Sequence, residues 1–309
     1  MPTTHARFVA GLVAVGLGVA ALSACGSSEA DSSGSDAADQ KNEWGLEPVD
    51  TVVALLPDDA KGSTLSNAVY NDYPPEMFLK DGKLAGIQVD LANAAAAVMG
   101  VKLENKAVGS FDSIIPGIVG KRYDLASSDF GVTDERIAQV DFVTVFDLGT
   151  SFAVKSGSDT GIDQRGDLCG LSVGVIAGSY FVPQVKDISK ECVADGAPAV
   201  DLQTFPQQSA AVLAVANGRV DAIGASADVI AYTADQEAAN VELTGLVVDP
   251  IPQAVAFPKG SELTEAWQAA VQELITNGVY AEIMDEWGVG DIAFTDPEHV
   301  KINETKAAS

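Results

Sequence analysis

The chain has 309 residues, with 44 acidic and 18 basic side chains and a formal net charge of −26 at pH 7. Its length is enough for one large or two ordinary domains with substantial cores. The negative charge argues against nucleic acid and anionic membrane surfaces as partners, because both would repel the protein. It does not exclude an anionic small molecule, since a single arginine can hold one.

Residues 1–24 are predicted to be an export signal. Arg7 precedes an apolar run, residues 8–22, that is short for a transmembrane helix of about 20 residues. The run leads into Leu22-Ser23-Ala24-Cys25, which resembles the lipobox of bacterial lipoproteins. That resemblance implies a diacylated Cys25, with palmitate-type chains, as the new N-terminus on the extracellular face of the cell membrane. The alternative is an ordinary signal peptide with an incidental cysteine.

Residues 25–45 are rich in glycine, serine and aspartate, and are predicted to be a flexible, acidic linker. The body that follows opens with a short helix within 48–56 and a strand at 64–69. The paired prolines of Tyr73-Pro74-Pro75 predict a rigid loop that displays Tyr73. A hairpin turn at 80–83, a helix at 90–99 ended by Gly100 and a strand at 101–104 complete this part.

Two segments nearly a hundred residues apart share one pattern. A helix at 111–119 precedes Gly120-Lys121-Arg122-Tyr123-Asp124-Leu125-Ala126-Ser127-Ser128, and a helix at 209–216 precedes Asn217-Gly218-Arg219-Val220-Asp221-Ala222-Ile223-Gly224-Ala225-Ser226. Each segment continues from glycine and arginine through aspartate into a strand of small residues and a serine. The repetition predicts two related α/β lobes, although a pattern this short can also arise by coincidence.

The first of these strands is followed by Asp129-Phe130-Gly131 and then by Arg136 near a helix start. Ligands of open α/β sheets bind beyond the carboxyl ends of the strands, and a guanidinium there can hold a carboxylate through two charge-assisted hydrogen bonds. The alternative is a turn with a surface arginine.

A second strand, within 171–177, ends in Gly178-Ser179-Tyr180 before a predicted helix, whose free amides can accept an anion. Cys169 and Cys192 flank this unit, and in an exported protein they predict a disulfide. No metal site is expected, because the two histidines lie in the signal and near the C-terminus. A strand at 253–257 and helices at 262–276 and 280–287 end the body.

The ordered motifs of this body resemble those of the amino-acid-type solute-binding proteins of ABC importers, bacterial extracellular solute-binding family 3. They are Tyr73-Pro74-Pro75, Gly86-Ile87-Gln88-Val89-Asp90-Leu91-Ala92, Phe111-Asp112-Ser113-Ile114-Ile115-Pro116-Gly117, Thr133-Asp134-Glu135-Arg136 with Val140-Asp141-Phe142, Asp167-Leu168-Cys169-Gly170, Gly218-Arg219-Val220-Asp221-Ala222, and Tyr280 with Trp287-Gly288. Each motif is weak alone, but their order and spacing over residues 48–287 are specific.

The resemblance implies an α/β fold of the type II periplasmic-binding-protein kind, with two lobes, two crossover strands and a central ligand cleft. Lobe 1 would comprise residues 46–148 plus 252–290, lobe 2 residues 149–251, and residues 291–309 a polar tail. The crossovers would lie near 147–151 and 248–253. Such proteins close around ligand by hinge motion.

The implied function is that of a lipid-anchored, extracellular and monomeric binding protein. It would deliver an amino acid or related carboxylate-bearing solute to ABC permease subunits, without a cofactor, a metal or catalytic residues. One alternative is an extracellular sensor that reports the ligand to a membrane partner. Another is a dehydratase on the same fold, similar to cyclohexadienyl dehydratase, with Asp129 as the acid/base group.

The resemblance also implies roles for individual residues. Arg136 matches the arginine that holds the ligand's α-carboxylate, and Tyr73 matches an aromatic residue that packs on the ligand. Ser128 lines the strand end, and Ser179-Tyr180 matches the lobe 2 turn whose amides help to hold the carboxylate.

Two positions depart from the family pattern, and both concern the ligand's amino group. Gly131 replaces a common serine or threonine, and Ser226 replaces a common aspartate. We expect Asp129 or Asp228 to supply the missing negative charge, unless the ligand is not a simple α-amino acid. The aromatic residues Tyr70, Phe130 and Tyr180 would either contact a cationic ligand or pack as pocket wall.

Overall fold

The computed structural model describes residues 44–306. The predicted signal (1–24), the predicted lipidation site at Cys25 and all but the end of the linker (25–45) lie outside the described residues. Across residues 44–306, no helix combines the length and apolar character that crossing a membrane requires.

The described chain alternates between helices and strands. The helices are α1 Asp50–Val53, α2 Ile87–Met99, α3 Ile114–Val119, α4 Asp134–Ile137, α5 Phe181–Ala194, α6 Gln208–Ala216, α7 Ala227–Asp235, α8 Leu263–Asn277 and α9 Val279–Glu286. The strands are β1 Thr64–Tyr70, β2 Asp72–Tyr73, β3 Met77–Lys80, β4 Lys83–Ala85, β5 Lys102–Val108, β6 Leu125–Gly131, β7 Val140–Lys155, β8 Ser172–Ile176, β9 Asp201–Phe205, β10 Ala222–Ser226 and β11 Val241–Pro258.

Two long antiparallel strands connect the two α/β lobes. The strand order of the main sheet is β5-β1-β6-β11-β7-β10-β8-β9, while β2, β3 and β4 form a small separate sheet. Lobe 1 contains β1, β5 and β6 with α2, α3, α8 and α9, and lobe 2 contains β8, β9 and β10 with α5, α6 and α7. Since β7 and β11 have 16 and 18 residues and pair along most of their length, they extend through both lobes. The predicted two-lobed α/β fold is confirmed.

Local sequence explains where α2 ends. Gly100 terminates α2 in the left-handed conformation at φ 69°, which a residue without Cβ adopts at little cost. The helix itself begins three residues earlier than the predicted Asp90, at Ile87. The predicted helix at 111–119 is a 3₁₀ turn, Phe111–Ser113, followed by α3. All seven residues of β6 are buried, which fits a central strand covered on both faces.

The C-terminal segment, predicted as a polar tail, packs onto lobe 1 as far as it is described. Phe294 and Val300 are buried in the apolar core that surrounds Trp267 and Tyr280. A β-bridge pairs Ile302 with Val143 of β7. The local sequence does not predict this packing, because isolated apolar side chains among polar ones show no helical or strand period.

Cys169 and Cys192 form the predicted disulfide, with 5.5 Å between their Cα atoms. Cys192 lies on α5, and Cys169 directly follows a 3₁₀ turn, Arg165–Leu168. The bond therefore connects the segment just before β8 to α5, the helix that follows β8.

Candidate functional site: the cleft between the lobes

The carboxyl ends of β6 and β10 meet at the middle of β7. Gly131, the last residue of β6, pairs with Gln253 of β11, which in turn pairs with Phe146 of β7. Ser226, the last residue of β10, pairs with Thr150, only four residues farther along β7. The two strand ends therefore face each other across the cleft, one from each lobe.

A narrow pocket lies between these strand ends. It is lined by residues of both lobes: Tyr70, Tyr73, Met77, Phe111, Ser128, Asp129, Ile176, Ser179, Tyr180 and Phe181. Five of the eight predicted ligand-binding residues belong to this lining, namely Tyr73, Ser128, Asp129, Ser179 and Tyr180. The other three, Gly131, Arg136 and Ser226, each contact a residue of the lining or of its loops.

Arg136 is a buried cation that bridges the lobes. It lies on α4, whose first turn is capped by the Thr133 hydroxyl accepting from the Arg136 backbone N–H at 3.3 Å. Its Nη1 donates to the Gly131 carbonyl at 2.6 Å, and its Nη2 donates to the Gly178 carbonyl of lobe 2 at 2.8 Å. Burial lowers the pKa of Arg136 to about 10, so the guanidinium stays charged at neutral pH.

Two phenylalanine rings support this guanidinium. The Arg136 Cζ atom lies 5.7 Å from the centroids of both Phe111 and Phe130, within the range of cation–π attraction. Phe130 is completely buried and packs against Phe111 and Phe142. Phe130 is therefore wall packing beneath Arg136, whereas Tyr70 and Tyr180 belong to the pocket lining.

A chain of hydrogen bonds joins the lobes at the floor of the pocket. The Tyr73 hydroxyl lies 3.1 Å from the Ser226 Oγ and accepts from the Ser226 backbone N–H at 2.9 Å. The Ser226 hydroxyl in turn donates to Asp129 Oδ2 at 3.1 Å. Tyr73 and Asp129 belong to lobe 1 and Ser226 to lobe 2, so these bonds connect the two lobes.

Asp129 presents a buried carboxylate oxygen to the pocket. Its backbone has φ 51°, in the left-handed region that aspartate tolerates better than most residues. The side chain is 5% exposed, and within residues 44–306 no donor reaches Oδ1. Burial and then the charge of Asp228 raise the pKa of Asp129 well above its usual value, while Ser226 and Arg136 oppose the shift. Such a group would be stabilised by a cation placed in the pocket.

Tyr180 explains why residue 131 is a glycine. A Cβ atom on Gly131 would collide with the Tyr180 ring and lie 2.8 Å from the Ile251 Cδ1 atom. The Tyr180 hydroxyl is 3.4 Å from Gln253 Nε2. Tyr180 thus fills the space beside the β6 end that a side chain at 131 would need.

The two predicted serines of the lining serve local structure through their side chains. The Ser128 Oγ accepts from the Tyr70 N–H at 3.0 Å and donates to the Ala68 carbonyl at 3.1 Å. The Ser179 Oγ donates to the Ile176 carbonyl at 2.7 Å and closes the turn before α5. Both hydroxyls are therefore already engaged.

Glu76 is a site-adjacent residue that sequence reasoning missed. It is fully buried, with Oε2 accepting from Gln88 Nε2 at 3.0 Å and Oε1 without a donor among the described residues. Burial, and then the charge of Asp228, raises the pKa of Glu76 well above its usual value. Both carboxylate oxygens of Asp228, near the start of α7, are also buried. A glutamate after two prolines is typical of an exposed loop, so only the tertiary structure shows that Glu76 is buried beside the site.

Among residues 44–306, no group of three or more His, Cys, Asp or Glu side chains could hold a metal ion.

Comparison with known proteins identifies the class of molecule. Residues 65–290 match the family model described as bacterial extracellular solute-binding proteins, family 3. The arginine-binding protein ArgT of Corynebacterium glutamicum is 30% identical over 246 residues, which are 79% of this chain and 80% of that protein.

Solved structures agree with this match. An ancestral arginine-binding protein bound to arginine superposes with a TM-score of 0.67 at 34% identity, covering 74% of this chain and 99% of that one. An ancestral amino-acid-binding protein described as a precursor of cyclohexadienyl dehydratase has a TM-score of 0.61 at 28% identity, covering 72% and 95%.

Proposed function

Because the chain belongs to the bacterial extracellular solute-binding proteins, family 3, we propose that it delivers an amino acid or related carboxylate-bearing solute to an ABC importer. In this proposal, the cleft closes on the solute and the closed form is read by the permease subunits. The protein works as a monomer and performs no chemistry on its ligand.

The observation that carries this proposal is a pair of opposite charges: Asp129 lines the pocket, and Arg136 lies beside it, against the lining residue Phe111. Arg136 supplies a buried cation held by carbonyls of both lobes, and Asp129 supplies a buried carboxylate with an unused oxygen. An α-amino acid carries the complementary groups, a carboxylate for Arg136 and an ammonium for Asp129. This arrangement supports Asp129, not Asp228, as the replacement for the aspartate missing at Ser226, because Asp129 lines the pocket.

The rest of the pocket supports a ligand with positive charge. Tyr70, Tyr73 and Phe111 provide aromatic faces, and Asp129 is the acidic residue of the pocket lining. The similarity to proteins named as arginine-binding also supports a positively charged ligand. We therefore expect L-arginine, or a solute with similar groups, to be a ligand.

A thermal-shift screen of the purified protein against amino acids, betaines and related acids tests the proposal. A ligand at 100 times its dissociation constant should add about 2.7 kcal/mol of stability. Arg136→Ala should abolish the shift, while Arg122→Ala, which removes an exposed arginine, should leave it unchanged. Equal shifts in the parent and in Arg136→Ala would refute the carboxylate assignment.

Two other functions remain distinguishable from import. A dehydratase with Asp129 as the acid/base group is favoured only by the likeness to a dehydratase precursor, and mass spectrometry of a bound hit over time would detect a product. A sensor would bind the same ligand but would depend on a membrane receptor. A permease gene beside the gene of this protein, with loss of solute uptake on its deletion, would favour the importer.

We also propose that Cys25 carries the lipid that anchors the protein to the cell membrane. The support is the lipobox-like Leu22-Ser23-Ala24-Cys25 and the linker that follows it. Cells fed a palmitate analogue should label the parent protein, whereas Cys25→Ser should remain unlabelled and appear in the medium. Labelling of Cys25→Ser would contradict the anchor.

A further inference from the structure

The strand that carries Asp129 leaves one of its neighbours just before it reaches the pocket. β6 is paired with β1 as far as Ala126 and then continues to Gly131. On its other side, β6 is paired with β11 up to Gly131. Ser128 and Asp129, which line the pocket, follow the point where the pairing with β1 ends. The end of β6 therefore depends on other contacts to hold it beside β1.

Two side chains supply those contacts. The buried Asn67 of β1 accepts from the Ser127 N–H through Oδ1 at 2.9 Å. The Ser128 Oγ accepts from the Tyr70 N–H at 3.0 Å and donates to the Ala68 carbonyl at 3.1 Å. Each side chain thus bonds backbone groups of the opposite strand, and the connection between β1 and β6 continues through side chains toward the pocket.

Asn67 is the one of these two residues that lies outside the pocket lining. Its Nδ2 donates to Asn105 Oδ1 on β5 at 2.8 Å, and Asn105 Nδ2 donates to Asn93 Oδ1 on α2 at 3.0 Å. Asparagine is depleted in strands, and a buried amide is costly unless both of its ends are bonded. Both ends of the Asn67 amide are bonded, so its Oδ1 is held facing β6.

The placement of Asp129 depends on where this part of β6 lies. Asp129 has φ 51°, in the left-handed region, and such a conformation persists where surrounding contacts hold the backbone. Its Oδ2 accepts from the Ser226 hydroxyl of lobe 2 at 3.1 Å. A shift at Ser127, two residues earlier, would move the Asp129 carboxylate relative to both the pocket and Ser226.

We propose that Asn67 is a positioning residue of the ligand site, which holds the end of β6 so that Asp129 presents its carboxylate to the amino group of the ligand. Asn67 acts through the Ser127 N–H and does not touch the ligand. This inference rests on the proposed function, because it concerns the placement of the amine contact proposed there.

The test measures calorimetric binding of L-arginine and of δ-guanidinovaleric acid, which is arginine without its α-amino group. Asn67→Leu, similar in size but without the amide, should weaken arginine binding by about tenfold, the cost of losing a charge-assisted contact. It should leave the binding of δ-guanidinovaleric acid unchanged. Ser66→Ala is the matched control, because Ser66 bonds Asp124 at the end of β1 that lies away from the pocket; it should lower stability and leave both affinities unchanged.

Coupling to Asp129 separates positioning from a general loss of stability. If Asn67 acts through Asp129, the double variant of Asn67→Leu with Asp129→Asn should bind arginine no more weakly than Asp129→Asn alone. Losses that add, or an equal loss for δ-guanidinovaleric acid, would overturn the positioning role. Asn67→Ala takes the place of Asn67→Leu in the same cycle if the leucine variant does not fold.

A ligand-free measurement keeps this inference separate from the proposed function. In amide proton–nitrogen correlation spectra of the unliganded protein, the Asp129 and Phe130 resonances should move in Asn67→Leu and keep their positions in Ser66→Ala. If arginine does not bind the parent, the proposed ligand is wrong, and the spectra alone decide on Asn67. Unchanged Asp129 and Phe130 resonances in Asn67→Leu would show that Asn67 does not hold the end of β6, and the inference would be wrong.

Discussion

At the scale of single residues, the cleft depends on a few buried polar groups whose partners come from the opposite lobe. Arg136 bonds a lobe 2 carbonyl, and Asp129 bonds the lobe 2 serine Ser226. Both residues were predictable from sequence motifs, because Asp129 and Arg136 come after a predicted strand of small residues. Two features arise from contacts distant in sequence, which no local pattern encodes. One is the Tyr180 ring, which leaves no room for a side chain at Gly131, and the other is the burial of Glu76.

Asp129→Asn should weaken the binding of a cationic ligand by about tenfold or more, since a charge-assisted hydrogen bond becomes a neutral one. Binding of a carboxylic acid without an amino group should not weaken. Calorimetry with arginine and with such an acid measures both effects, and Glu135→Gln, an exposed acid on α4, controls for general charge. An unchanged affinity for arginine would remove Asp129 as the amine contact.

Gly131→Ser should lower the free energy of unfolding of the closed form by about 1–3 kcal/mol, the usual cost of overpacking. The added atoms meet Tyr180 and Ile251. Urea denaturation of Gly131→Ser, Tyr180→Ala and the double variant forms a cycle, in which Tyr180→Ala should relieve much of the serine's cost. Additive effects would show that the Tyr180 ring does not exclude a side chain at 131.

At the scale of elements, helices and strands were predictable where period and end signals agree. The stop of α2 at Gly100 and the turn between β3 and β4 are examples. The short 3₁₀ turn at Phe111–Ser113 and the packed tail were not predictable, because three residues or two isolated apolar side chains carry too little periodic signal.

Removal of the disulfide by Cys169→Ser with Cys192→Ser should cost about 3 kcal/mol, because the bond closes a loop of 23 residues and restricts the unfolded chain. Urea denaturation measures the loss, and the parent protein under reducing conditions should show the same value. An unchanged midpoint would mean that the bond contributes nothing to stability.

Phe294→Ala should cost about 3 kcal/mol, because its ring is buried against the lobe 1 core. Glu298→Ala, at an exposed position in the same segment, should change stability by no more than about 0.5 kcal/mol. Thermal unfolding of the two variants compares them directly. Equal stability would mean that the tail contributes nothing to the fold.

At the scale of the whole molecule, the two lobes meet around one pocket through several polar contacts. Besides the residues of the site, Asp72 accepts from the Ser209 N–H at 2.9 Å, and the Tyr70 hydroxyl donates to the Pro206 carbonyl at 3.4 Å. The internal repeat and the ordered motifs made the two-lobed architecture predictable. The set of contacts across the cleft was not, since each joins residues more than 40 positions apart and depends on how the lobes meet.

The central claim is that Arg136 holds the carboxylate of an amino acid in this cleft. Its most direct test is calorimetric binding of L-arginine and of agmatine, which is arginine without its carboxylate, to the parent and to Arg136→Ala. The parent should bind arginine at least about tenfold more tightly than agmatine, and Arg136→Ala should bind the two alike. If the parent does not distinguish the two ligands, or if Arg136→Ala keeps the same preference, the carboxylate is held elsewhere and the claim is wrong.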